Sequence, residues 1–201
     1  MPYLSTFRMP TPMKITGRSS SITNAFINSI IPVVIPTSDQ VREALETLEM
    51  DVTDVRCVYC GDRFTEWDHL NPLVKDKKPT GYVSEVANLV PACGKCNQSK
   101  GNKNWRLWML STAARSPKAR SIPNLDQKIA RIAAYEQKFH PARHDFGAMI
   151  GEQLWSKHWE NWQKIIDMMK EAQVIAAEIN TKIKNANKTV EATPLRSVPH
   201  L

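Results

Sequence analysis

The sequence contains two short cysteine pairs, CVYC at residues 57–60 and CGKC at residues 93–96. They hold all four cysteines of the 201-residue chain. Each CxxC turn presents two sulfurs to one ion, and two turns supply the four thiolates of a tetrahedral Zn²⁺ site. The spacing predicts a structural zinc ion bound by Cys57, Cys60, Cys93 and Cys96. The gap between the pairs is longer than in short zinc ribbons, which indicates an inserted segment.

Two other interpretations of the cysteine pairs are a redox-active CxxC and free buried thiols, although a redox pair would not need the second turn. The most apolar stretch, residues 27–35, is interrupted by Pro32 and lies far from Met1. It is too short to span a bilayer and lacks the basic start of a secretory signal. Paired cysteines without such a signal favour a cytoplasmic protein with no membrane partner.

The positive charge of the chain is concentrated in one segment. The net charge is +7, and the segment from Val86 to Leu125 contains no Asp or Glu. A patch of one sign attracts a polyanion, and phosphate contacts dominate nucleic-acid affinity. The alternative is a solvated surface that only aids solubility. The basic residues of this segment are Lys95, Lys100, Lys103, Arg106, Arg115, Lys118 and Arg120.

Residues suited to phosphodiester hydrolysis lie between and beside the cysteine pairs, within WDHLNP at 67–72, NLVP at 88–91, and Asn97. His69 is a competent base near neutral pH. Asp68 and Asn97 offer oxygen ligands for a hard divalent cation, which stabilises charge on the phosphate and on the leaving oxygen. Adjacent strand residues point to opposite faces, so we expect a kink or strand end at Asp68 and His69. A zinc-stapled DNA-binding ribbon without catalysis is the alternative.

Periodicity and capping residues predict a mainly helical chain with a short strand on each side of a loop. Thr37 or Ser38 caps one helix, Asn104 another, and Gly101 ends the helix before it. A buried stripe of Val41, Ala44, Leu45 and Leu48 fits the first of these helices. The predicted helices are 21–29, 37–50, 94–100, 105–112, 122–139 and 154–184; the strands are 65–70 and 88–90, and 71–81 is a loop.

The order of these residues resembles the HNH endonuclease family. The resemblance covers the cysteine pairs, Asp68-His69, Asn88 to Pro91 and Asn97 to Lys103, about fifty residues in all. It implies a small ββα-metal core stapled by zinc, in a chain that is α+β overall. The flanking Trp67 and Trp105 resemble a bacterial branch often found as restriction enzymes.

The resemblance also implies roles for single residues. Asp68 would bind the catalytic metal, His69 would be the general base, and Asn88 would hold the loop that aims the base. The last position of the family pattern is often His and is Asn97 here, as in zinc-ribbon members where Asn ligates the metal. Mg²⁺ or another divalent cation is the expected catalytic ion. The candidates for DNA contact are Lys95, Lys100, Lys103 and Arg106.

These expectations divide the chain into five parts: an N-terminal arm with a short helix (1–36), a helix (37–55), the nuclease module (56–112), a helical region (113–185) and a disordered tail (186–201). The expected activity is metal-dependent cleavage of double-stranded DNA by a type II restriction enzyme. Such an enzyme commonly needs two active sites, which favours a homodimer, and a cognate DNA methyltransferase would be its functional partner. A homing or phage-type nicking nuclease is the alternative within the enzyme class, and a nuclease toxin ranks lowest.

Overall fold

The computed structural model describes residues 6–191. Single turns of 3-10 helix occupy Ile15–Arg18 and Val86–Asn88. The strands are β1 (Glu66–His69), β2 (Val74–Lys75), β3 (Lys78–Pro79) and β4 (Leu89–Ala92). The helices are α1 (Ser19–Asn28), α2 (Ser38–Thr47), α3 (Gly94–Lys100), α4 (Trp105–Met109), α5 (Leu125–Phe139), α6 (Phe146–Ile150) and α7 (Glu152–Glu191).

The strands β1 and β4 form an antiparallel pair that leads directly into α3. Glu66 lies opposite Ala92, and His69 lies opposite Leu89 at the other end of the ladder. Cys93 is the N-cap residue of α3, and Gly101 follows the helix with a φ of 49°, a conformation that favours glycine. This strand–strand–helix arrangement confirms the ββα core within an α+β chain, and β1 ends at His69 as expected.

The chain divides into two compact units, and the first comprises residues 24–152. Its core combines Tyr59, Trp105 and Trp108 of the cysteine-bearing module with Leu48 and Ile132 from the flanking helices α2 and α5. Tyr59 and Trp108 meet edge to face with ring centroids 5.2 Å apart. The boundaries expected at residues 55 and 112 therefore fall inside one packed unit, because the flanking helices complete its core.

The start of α2 was predictable from the sequence because a capping box forms there. The Thr37 side chain accepts from the Gln40 backbone N–H, and the Gln40 side chain accepts from the Thr37 N–H. This reciprocal capping box satisfies two donors that a helix end leaves unpaired. Ala44, Leu45 and Leu48 are buried and Val41 is half-buried, so the predicted stripe is confirmed.

The loop predicted over residues 71–81 is wrong in part, because it contains a β-hairpin. Val74 pairs with Pro79 and Lys75 pairs with Lys78. The turn residues Asp76 and Lys77 have φ values of 50° and 61°. Two left-handed residues form a type I′ turn, which usually contains Asn-Gly. The dipeptide Asp76-Lys77 is not typical of this turn, so the hairpin could not be predicted from the sequence.

The second unit comprises the described residues outside 24–152. In it the Trp162 indole N–H donates to Thr23 Oγ1 at 3.1 Å, and the Ile15 backbone N–H donates to Gln173 Oε1 at 2.7 Å. Ile166 is buried, whereas Ile179 and Ile183 are about half exposed, at 51% and 55%. Two of the isoleucines of α7 therefore lie largely at the surface.

α7 also extends to Glu191, beyond the helix end predicted at residue 184. The expected disordered tail, 186–201, is thus wrong for its first six residues. The rest of that tail lies outside the described residues. No helix in the described part of the chain has the length and apolar character needed to cross a membrane.

Candidate active site and metal centre

The four cysteine sulfurs converge on one point. Their Sγ atoms all lie within 4.8 Å of one another, and Cys60 Sγ is 3.7 Å from Cys93 Sγ. Tetrahedral zinc with Zn–S bonds of about 2.3 Å places its sulfurs about 3.8 Å apart. The observed cluster fits such an ion, and none of the four cysteines forms a disulfide. The four cysteines are therefore positioned to form the predicted zinc site.

Backbone turns hold each cysteine pair in place. The Gly61 N–H donates to the Cys57 carbonyl, and Gly61 has a φ of 82°. The N–H groups of Cys96 and Asn97 both donate to the Cys93 carbonyl, which makes the second turn the start of α3. The first pair thus lies on a loop and the second on a helix.

The thiols of this cluster need an added positive charge to ionise together. The hydrogen bond with Cys60 and burial raise the pKa of the Cys57 thiol to about 12. Arg120 Nη1 lies 3.6 Å from Cys96 Sγ, and Arg120 also pairs with Asp62 at 3.4 Å. One guanidinium cannot neutralise four thiolates, whereas Zn²⁺ deprotonates coordinating thiols outright. The donor set therefore calls for a metal ion.

A cavity of about 230 Å³ lies beside the ββα core. It brings together Asp68, His69 and Asn97, the residues that the sequence singled out for catalysis. Its walls come from four parts of the chain: α1, β1, the segment from Pro72 into β2, and α3 with the two residues that follow it. The remaining lining residues are Asn24, Asn28, Pro72, Leu73, Val74, Gly101 and Asn102.

His69 is half-buried and held by a hydroxyl. Its Nε2 lies 2.7 Å from Ser84 Oγ, which leaves Nδ1 as the ring nitrogen for proton transfer. Burial, reinforced by the Lys100 ammonium, lowers the pKa of His69 to about 4. The imidazole is consequently neutral at pH 7, the form that can accept a proton from water.

Asp68 is buried, with 4% of its surface exposed, and both carboxylate oxygens have partners. Tyr59 Oη donates to Oδ2 at 2.7 Å, and Lys100 Nζ donates to Oδ1 at 3.1 Å. Burial raises the pKa of Asp68, and the attraction of Lys100 opposes that rise. The carboxylate that lines the cavity is thus fixed in position by two donors.

Lys100 does not lie where the sequence analysis placed it. The residue is fully buried, and its Nζ donates to Asp68 Oδ1, to the His69 carbonyl at 2.8 Å and to the Gly101 carbonyl at 3.2 Å. Those three bonds use all donors of an ammonium group. The expected phosphate contact of Lys100 is therefore corrected: this lysine braces the end of β1 from inside.

Asn88 is fully buried and ties the two ends of the segment after His69 together. Its Oδ1 accepts from the Asn71 N–H at 2.8 Å, and its Nδ2 donates to the Asn71 carbonyl at 3.0 Å. Nδ2 also lies 3.4 Å from the Val83 carbonyl. Asn88 therefore joins the segment that follows β1 to the segment that precedes β4.

The cavity offers oxygen donors for a divalent cation. Asp68 and Asn97 both line it, and carboxylate and amide oxygens are the ligands that hard cations prefer. Two protein ligands leave room for water and a phosphate oxygen. Asp68 Oδ1 is shared with the Lys100 ammonium, so an ion there acts beside an existing positive charge. The residues present fit the expected catalytic ion.

The other candidates for DNA contact are on the surface. Lys95, Lys103 and Arg106 are exposed. Lys103 Nζ donates to the Ser99 carbonyl at 2.8 Å, and the Arg106 guanidinium lies 4.9 Å from the centre of the Trp105 ring. Lys95 lies on α3, Lys103 follows that helix and Arg106 lies on α4, so the segment without Asp or Glu presents cations to solvent.

Sequence reasoning missed several residues that build this site. Tyr59, between the first two cysteines, holds Asp68, and its position inside CVYC was the one available signal. Ser84 holds His69 but lies in a segment without a recognisable pattern. Asn24 and Asn28 reach the cavity from α1, outside the quoted motif, and Asn28 Nδ2 donates to the Asn24 carbonyl at 2.7 Å.

The ββα core thus combines a four-cysteine cluster with an aspartate–histidine pair at the end of its first strand. Residues 57–103 match the model of the HNH endonuclease family. The chain contains an HNH endonuclease domain.

A relative is the CRISPR-associated endonuclease Cas9 of Corynebacterium diphtheriae, which is 37% identical over 62 residues. The match covers 29% of this chain and 5% of that protein, so the likeness concerns the nuclease domain alone. No solved structure matches the chain.

Proposed function

We propose that the protein hydrolyses phosphodiester bonds of double-stranded DNA with His69 as general base. The observation that carries this proposal is the placement of a neutral imidazole beside two oxygen donors in one cavity. In the proposed step, His69 takes a proton from water, and the resulting hydroxide attacks phosphorus. The bond from phosphorus to the 3′ oxygen then breaks.

The other residues of the cavity position this reaction. Asp68 and Asn97 would hold a divalent cation, Mg²⁺ or a similar ion, which supplies charge stabilisation for the phosphate and the leaving oxygen. Asn88 and Ser84 would fix the base, because both limit the movement of the segment that bears it. Lys95, Lys103 and Arg106 would contact DNA phosphates.

The zinc cluster is proposed to act on structure alone. It joins the loop before β1 to the start of α3, and the cavity lies between the end of β1 and the end of α3. A base must lie within hydrogen-bond reach of the attacking water. Rigidity at that scale is what a structural metal contributes without taking part in the chemistry.

Single-turnover cleavage of DNA with Mg²⁺ tests the catalytic proposal. His69→Ala should retain zinc and DNA binding but cut roughly 10²–10⁴-fold more slowly, the usual contribution of a general base. Added metal should not restore it, whereas Asn97→Ala should recover in part with excess Mg²⁺ or Mn²⁺. His140→Asn is the control, since this exposed histidine has a φ of 44°, which Asn tolerates. A His69 variant cutting at the wild-type rate would refute the assignment.

We further propose a type II restriction enzyme acting as a homodimer in the cytoplasm, with a DNA methyltransferase protecting the host sequence. Reduced paired cysteines suit that compartment. Sequencing of the product ends distinguishes this activity from a homing or phage-type nicking nuclease. Paired cuts at one short site, blocked by methylation of that site, support restriction; nicks on one strand contradict it.

The helix α7 provides the surface for a second copy. Ile165, Met168, Ala172, Ile175 and Ile179 recur at alternating intervals of three and four residues, the spacing of a coiled-coil seam. Four of them are exposed, Met168 at 68% and Ile175 at 59%. Ile175→Glu should shift the sedimentation of a dimer to that of a monomer. Val174→Glu, an equally exposed neighbour outside the seam, should leave the dimer intact.

A further inference from the structure

The hairpin of β2 and β3 borders the cavity that contains His69. Pro72, Leu73 and Val74 form one wall, and Val74 is also the first residue of β2. Asn97 of α3 and the two residues after that helix, Gly101 and Asn102, also line this cavity. A strand of DNA whose phosphate enters the cavity must therefore pass close to this hairpin.

The hairpin carries an excess of positive charge at its surface. Lys75, Lys77 and Lys78 are exposed, with Asp76 as the one acid between them. Lys75 lies opposite Lys78 in the ladder, and like charges at such positions are destabilising. Lys75 and Lys77 form no ion pair with any carboxylate of the described residues. An external anion would relieve this repulsion.

The turn of the hairpin has a lysine in an unfavourable backbone conformation, and this lysine places a charge at the tip. Lys77 has a φ of 61°, where glycine is favoured over residues with a side chain. A glycine would form this turn more easily but would carry no charge. The lysine therefore costs the turn stability and supplies an ammonium group at its outermost point.

The base of the hairpin is held firmly. The Thr80 N–H donates to the Leu73 carbonyl, and Thr80 Oγ1 donates to the Pro72 carbonyl at 2.6 Å. Arg143 Nε donates to the Thr80 carbonyl at 2.7 Å. An added Cβ on Gly81 would lie 2.3 Å from the His144 carbonyl oxygen, so Arg143 and His144 pack closely against Gly81. The charged tip thus projects from a fixed support.

We propose that the β2–β3 hairpin anchors the phosphates of the cleaved DNA strand, with Lys75 and Lys77 as the contacting residues. The inference rests on the proposed DNA cleavage and adds a contact element outside the acid-free segment. Three residues of strand span at most about 10 Å from Val74 to Lys77. Since phosphates of one strand rise about 3.4 Å each along the helix axis, the hairpin contacts phosphates about two to four nucleotides from the cut.

The test uses Lys77→Gly, because glycine suits the turn and cannot disrupt it. DNA affinity is measured against salt concentration with Ca²⁺ in place of Mg²⁺, to limit cutting. The variant should bind several-fold more weakly and should reduce the slope of log K against log salt by about 0.9, the contribution of one phosphate contact. Lys77→Arg should bind as the wild type does. Lys157→Ala, an exposed lysine of α7, is the matched control and should change neither quantity.

Phosphate ethylation interference locates the contact. The wild type should show interference at phosphates within about four nucleotides of the cut, and Lys77→Gly should lose it at one or two of them. If the wild type binds and cuts DNA but Lys77→Gly keeps its affinity, slope and interference pattern, the hairpin proposal fails and the nuclease proposal stands. If the wild type neither binds nor cuts, both fail.

Discussion

The zinc cluster and the cavity around His69 lie in the same ββα core but are built in different ways. The cluster uses one residue type, and each half of it is a local turn of four residues. The cavity draws residues from α1, β1, the hairpin and α3. The four-cysteine cluster therefore depends on the spacing of residues close together in the sequence. The cavity depends instead on how the fold brings distant segments together.

Removing a zinc ligand should therefore lower the stability of the fold more than any other single substitution. Cys60→Ser is expected to abolish zinc binding and to unfold the cysteine-bearing module together with the helices that complete its core, since structural zinc contributes on the order of 10 kcal/mol or more to small domains. Circular dichroism and a metal assay check the outcome. Chelation of zinc from the wild type is the parallel treatment and should have the same effect. An active, folded protein without zinc would contradict the scaffold role.

Breaking the buried ion pair between Asp68 and Lys100 should have the next largest effect on stability. Asp68→Ala leaves the fully buried Lys100 without its carboxylate, which typically costs about 3–5 kcal/mol. Chemical denaturation measures the loss. The double variant Asp68→Leu with Lys100→Met, which removes both charges, should be more stable than Asp68→Ala alone. If the double variant were the less stable one, the pair would not be the cause.

The free energy of unfolding should depend on pH through His69, because this histidine stays neutral at pH values where an exposed histidine would take up a proton. A pKa lowered from 6.5 to about 4 means that the folded state binds fewer protons than the unfolded state between those values. The resulting stability is fully present above pH 6.5 and is lost as the pH falls towards 4, a change of roughly 3 kcal/mol.

The free energy of unfolding is measured for the wild type and for His69→Gln, each at pH 7 and at pH 5. Protonation of the zinc ligands affects both proteins alike, so the difference between them reports the contribution of His69. The wild type should lose more stability than the variant over that range. Nuclear magnetic resonance should show the His69 imidazole still neutral at pH 5.5. A midpoint near 6.5 would contradict the burial argument.

The smallest expected effect concerns Ser84, which holds the base without lining the cavity. Ser84→Ala removes the hydrogen bond to His69 Nε2, worth about 1 kcal/mol. Single-turnover cleavage should slow by about tenfold or less, with affinity for DNA unchanged. Ser111→Ala is the control, since its hydroxyl bonds to the Trp108 carbonyl. A loss as large as that expected for His69→Ala would give Ser84 a direct part in the chemistry.

Most of the helices and the four-cysteine cluster were predictable because their determinants are local, whereas the short helix α6 was not predicted. The α3 prediction matched both ends, since Gly101 ends the helix. The β2–β3 hairpin was not predictable, because its turn uses Asp76 and Lys77 instead of the residues that mark a type I′ turn. The helical spacing of apolar residues along α7 did not show which of them would be buried, since periodicity gives amphipathic character but no partner.

Sequence alone was enough to predict the four cysteines of the zinc site, the aspartate–histidine pair and the order of strand, strand and helix. All of these depend on residue type and spacing over a few positions. Three other features became visible only in the folded chain: Lys100 turns inward to Asp68, Ser84 bonds to His69, and α1 contributes to the cavity. Burial and hydrogen bonding between distant segments set those contacts, because the free energy of a buried charge depends on which partner the fold brings to it.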